Sequence, residues 1–91
     1  MAQAHVDPEK LRSFALQLKH FAAAVENGVG GLRNGMGRLR ETWKDQEYET
    51  FARQFVSTQE LLKRLVQEIR KTAPLLERDA AAIEEYLRYR L

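Results

Sequence analysis

The chain has 91 residues and a mass of 10.6 kDa, with 44% hydrophobic and 31% charged residues and a formal net charge of +2. That composition suits one ordered domain; the absence of cysteine excludes a disulfide framework and a thiolate metal site. No apolar run approaches the roughly 18 residues of a membrane span, and Met1 to Lys10 lacks the basic stretch and apolar core of a Sec-type signal peptide. Residues 1–45 hold seven Lys/Arg against five Asp/Glu and residues 46–91 hold eight against eight, so neither half has the one-sided field of a nucleic-acid binder.

A first helix is predicted over residues 7–42. Asp7 is a suitable N-cap, Pro8 fits the first helical position, and Glu9 favours the positive end of the helix dipole. Leu11, Phe14, Leu18, Phe21, Val25, Val29, Leu32, Met36, Leu39 and Trp43 then recur at steps of three and four, the helical period. All five glycines fall between Gly28 and Gly37, and Asn27-Gly28 and Asn34-Gly35 are turn dipeptides that argue for a break. Val25, Leu32 and Leu39 nevertheless hold a seven-residue phase through the cluster, which a loop has no reason to keep, so a continuous helix is the expectation. Helical glycines cost about 1 kcal/mol each relative to alanine. Gly28, Gly31 and Gly35 are the candidates for a close helix crossing, Gly31 and Gly35 being four apart on one face.

A short turn over residues 43–46 follows, with Asp45 placed to cap the next helix and Glu47 and Glu49 in its first turn. The second helix is predicted over residues 47–89, along Tyr48, Phe51, Phe55, Leu62, Leu65, Ile69, Leu76, Ile83 and Leu87, with a kink expected near Pro74. Glu49–Arg53, Glu60–Arg64 and Glu84–Arg88 have the i,i+4 spacing of surface ion pairs, acid first. So short a connection makes the helices antiparallel neighbours. The expected fold is all-α: a single helical-hairpin domain over residues 1–91. Both apolar stripes are too wide for one neighbour, so two hairpins are expected to pair into a four-helix bundle, as a homodimer or as a heterodimer with a paralogue.

No enzyme chemistry is visible. His5 and His20 have no partner at metal-ligand spacing, Ser13 and Ser57 have no histidine at useful spacing, and the glycine cluster lacks the Lys-Ser/Thr ending of a phosphate-binding loop. The basic residues Arg33, Arg38, Arg40, Lys44, Lys63, Arg64, Arg70 and Lys71 are not interleaved with aromatic ones. The expectation is a protein without enzymatic activity, catalytic residues, cofactor, metal, small-molecule substrate or nucleic-acid partner, acting by protein–protein interaction.

Trp43 is the sole tryptophan and stands at the turn, where it is expected to pack against Tyr48 and Phe51. Two long antiparallel helices, a tryptophan at the turn and an aromatic residue eight positions later resemble the Trp-X-Gly (WXG) family of type VII secretion substrates. The motif here reads Trp43-Lys44-Asp45, with Tyr48 and then Phe51 following. The resemblance implies a dimeric four-helix bundle, export through a membrane-embedded ATPase machine without a cleaved signal peptide, and a role as effector or as escort of a larger toxin. It makes Trp43, Lys44, Asp45, Tyr48 and Phe51 the turn-motif and partner-binding residues. Two positions depart from the family pattern: Asp45 replaces the motif glycine, and Tyr86 is followed four residues later by Arg90 where the family's Tyr-x-x-x-Asp/Glu export signal has an acid. Dependence on a partner's signal is therefore expected. A cytoplasmic adaptor with no secretion role is the alternative.

Overall fold

The computed structural model describes residues 6–90, so His5 lies outside it. Two helices, α1 (Pro8–Leu39) and α2 (Gln46–Arg90), pack against each other as a hairpin about 69 × 25 × 14 Å. Among the described residues there is no strand. The Asp7 carboxylate accepts the backbone N–H of Glu9 at 2.9 Å, satisfying one of the free donors of the first turn. α1 runs unbroken through the glycine cluster. It stops at Leu39 rather than Thr42: Trp43 N–H donates back to the Leu39 carbonyl at 2.8 Å and Thr42 N–H to the same oxygen at 3.1 Å, which closes the last turn. α2 continues across Pro74.

The seam of the hairpin is made of small residues. Ala15 and Ala22 of α1 and Ala73 and Ala80 of α2 are fully buried, joined in mid-hairpin by Val66 and Ile69, with Leu18 and Val25 partly buried against them. Alanine lets the two backbones approach closely. Several of the larger side chains of the stripes lie at the flank instead, where Phe14, Phe21, Leu32, Phe51, Leu65 and Leu75 all stay exposed.

One edge of the seam carries ion pairs. Arg12 pairs with Glu84, Lys19 with Glu77 at 2.8 Å, and Glu26 with Arg70 through two hydrogen bonds, one of 2.8 Å. The pairs step by seven residues forward on α1 and seven back on α2, as an antiparallel pair in heptad register must. The expected i,i+4 pairs Glu49–Arg53, Glu60–Arg64 and Glu84–Arg88 do not form. Glu84 reaches across to Arg12 instead, and the local pair that closes is Glu68–Lys71, three apart, at 3.5 Å.

Candidate functional site

The hairpin tip brings the turn-motif residues together. Asp45 caps α2: its carboxylate accepts the Tyr48 backbone N–H at 3.1 Å. That bond, with help from the Trp43 indole N–H and the Glu47 backbone N–H, holds the Asp45 carboxyl below its usual range. Tyr48 is buried, and its hydroxyl donates to the Met36 carbonyl at 3.3 Å, tying the start of α2 to the end of α1. Trp43, half-buried, meets Tyr48 edge to face with ring centroids 5.5 Å apart. Phe51 is 48% exposed and lines a shallow groove of about 360 Å³ with Gln46, Glu47, Thr50 and Gln54. Lys44 is exposed.

Aspartate in place of the motif glycine fits this geometry. No described residue has a positive φ, so the turn makes no demand that glycine alone could meet. The aspartate adds a capping acceptor that a glycine would lack. Its lowered pKa fixes the sign of an acid effect. The capping contribution is complete above the usual aspartate range and is lost as pH falls through the lowered folded value. We expect Trp43 emission to show an acid transition below about pH 4 that Asp45→Ala removes, with a lower melting temperature for the variant at neutral pH. An identical acid profile in the variant would place the titrating group elsewhere.

The packing of α1 on α2 leaves room for a side chain at Gly28, Gly31 and Gly35. A Cβ built at Gly28 or Gly31 meets no heavy atom within 4 Å, and at Gly35 it meets only the tip of the Arg38 side chain at 4.0 Å. Any close approach at these positions must come from another molecule. Gly28 and Gly35 continue the seven-residue series begun by Phe14 and Phe21, so they belong to the same exposed flank.

Among the described residues, no three potential metal ligands gather at one place, and no helix is long and apolar enough to cross a membrane. No curated protein and no solved structure matches the chain at a significant level. The model of the WXG100 family, described as proteins of 100 residues with WXG, matches residues 3–86, spanning both helices and the Trp43 turn. With the two-helix hairpin and the tryptophan at its tip, that match shows that the chain belongs to the WXG100 family.

Proposed function

We propose that this chain is a non-enzymatic partner-binding module of a type VII secretion system, a substrate or an escort, that pairs through its apolar flank into a four-helix bundle. Membership of the family supports a small helical protein of the secreted type. The observation that carries the pairing is the composition of the seam. Its deepest residues are alanines, while Phe14, Phe21 and Phe51 remain about half exposed. A hairpin that leaves three of its four phenylalanines half in water lacks much of the core a domain of this size needs. A second hairpin laid on the Phe14–Phe21 flank supplies it, and Gly28 and Gly35, on the same flank, let the second backbone approach closely.

The other partners follow from the same reading. Trp43, Lys44, Asp45, Tyr48 and Phe51 form the tip that a secretion ATPase or a larger secreted toxin would engage. Arg90 stands where the export signal has an acid, which favours travel with a signal-bearing partner, a paralogue included, over autonomous export. The purified chain, or the chain with its paralogue, should scatter light as a dimer. Expressed alone in a host with the secretion machine it should stay inside the cell, and leave when a signal-bearing partner is supplied. A stable, cooperatively folded monomer at micromolar concentration would overturn the pairing, and efficient export of the isolated chain would overturn the escort role.

A further inference from the structure

The ladder of ion pairs along the seam breaks at its fourth rung. Seven residues on from Glu26, α1 carries Arg33; seven residues back from Arg70, α2 carries Lys63. Three rungs join opposite charges, and the fourth sets two cations against each other. Among the described residues neither Arg33 nor Lys63 has an ion-pair partner. Both line a groove of about 470 Å³ with an apolar wall of Val25, Val29, Leu62 and Val66. The charges lining it are Arg33, Lys63 and Arg70 against Glu26 and Glu60, and Glu26 is already bound to Arg70, so the groove carries an uncompensated positive charge.

Gly30 lines the same groove, and a Cβ there would meet nothing within 4 Å. The hairpin therefore gains nothing sterically from glycine at this position and bears its helix-weakening cost. Like charges facing each other across the seam also work against the fold, and an acid at either position would complete the ladder. Both features fit a surface built for something other than hairpin stability. On the pairing proposed above, which this inference rests on, a second hairpin on the Phe14–Phe21 flank would leave the groove open. Phe21 lies about 100° to one side of Ala22 around α1, whereas Glu26, four residues on from Ala22, and Arg33, four residues on from Val29, each sit about 40° to the other side.

We propose that this groove is a docking site for an acidic amphipathic helix of a protein partner, whose apolar side chains pack on Val25, Val29, Leu62 and Val66 while a carboxylate bridges Arg33 and Lys63. The mixed lining selects the occupant. A free oxyanion would use the cations but not the apolar wall, and a nucleic-acid strand would need a longer basic track than one rung provides.

The isotope-labelled 91-residue chain in its native assembly is titrated with a synthetic amphipathic helix bearing glutamate on its polar edge, and with the same helix bearing glutamine. The glutamate helix should shift the amide signals of Gly30, Arg33 and Lys63, and the glutamine helix should bind about tenfold more weakly or worse, the loss of one charged contact. Arg33→Glu and Lys63→Glu should weaken binding by a similar factor while raising the melting temperature, because each completes the ladder; lost binding then cannot be blamed on lost folding. Gly30→Leu, which fills open space, should block the peptide and leave the hairpin folded. Equal binding of the two helices, no shift at Gly30, full binding by Gly30→Leu, or stronger shifts at the same residues with inorganic phosphate or a short oligonucleotide would each overturn the proposal.

Discussion

Tyr48→Ala is expected to destabilise the protein by about 3–5 kcal/mol, the usual cost of removing a large buried aromatic side chain. Tyr48 is 6% exposed, the most buried of the aromatic residues at the tip, and it performs three tasks there. Its backbone N–H donates to the capping Asp45 carboxylate, its ring meets Trp43 edge to face, and its hydroxyl donates to the Met36 carbonyl near the end of α1. The alanine variant keeps the first and loses the other two. Tyr48→Phe isolates the hydroxyl and should cost only about 0.5–1.5 kcal/mol, the range for one hydrogen bond. Trp43→Ala should fall between these values, since Trp43 is only half-buried. Urea denaturation of the three variants gives the order directly. Should Trp43→Ala prove more costly than Tyr48→Ala, the tryptophan and not the tyrosine would be the bolt of the hairpin. Total stabilities of small domains are about 5–15 kcal/mol, so Tyr48→Ala removes a large part of what holds the chain folded.

The role of Tyr48 shows where sequence reasoning reached and where it stopped. Two helices, their antiparallel order and both capping aspartates follow from local rules. The caps of Asp7 and Asp45 depend only on neighbours two or three residues away. The seven-residue phase of Val25, Leu32 and Leu39 predicts helix through the glycines, and α1 is continuous there. What periodicity could not give is which part of a wide stripe faces the other helix. Phe14 and Ala15 are adjacent on the stripe; the hairpin buries the alanine and leaves the phenylalanine half in water. That choice is set by how closely two backbones approach, a tertiary quantity absent from any one helix. The cross-seam ion pairs were hidden for the same reason. Glu84 has a helical neighbour in Arg88, but its partner is Arg12, seventy-two positions away, and only the register of the hairpin reveals it. At the tip, Asp45 departs from the family's glycine but already reads as the cap of α2, and the structure shows that cap with no backbone strain to relieve.

Phe14→Glu combined with Phe21→Glu should abolish pairing. The two rings are 51% and 50% exposed in the hairpin, so each has roughly 75–125 Å² still to bury, half of what a large aromatic side chain typically presents. At about 25 cal/mol per Å², that is about 2 kcal/mol per ring. A two-fold interface uses the same patch on both copies, so four rings together contribute on the order of 8 kcal/mol before the costs of association are subtracted. Losing even half of that weakens dimerisation by about a thousandfold, and the buried glutamates oppose it further. The variant should therefore scatter as a monomer at micromolar concentration. Its helicity should fall as well, because the alanine seam alone leaves most large apolar side chains in water. Leu16→Glu supplies the control. Leu16 is 52% exposed, nearly the same as Phe14, but it lies on the other side of Ala15. If the Phe14–Phe21 flank is the interface, Leu16→Glu leaves the dimer intact. A dimer that survives the double phenylalanine change and dissociates with Leu16→Glu would move the interface to the opposite edge, onto the groove of Arg33 and Lys63, and would exclude both surfaces assigned above.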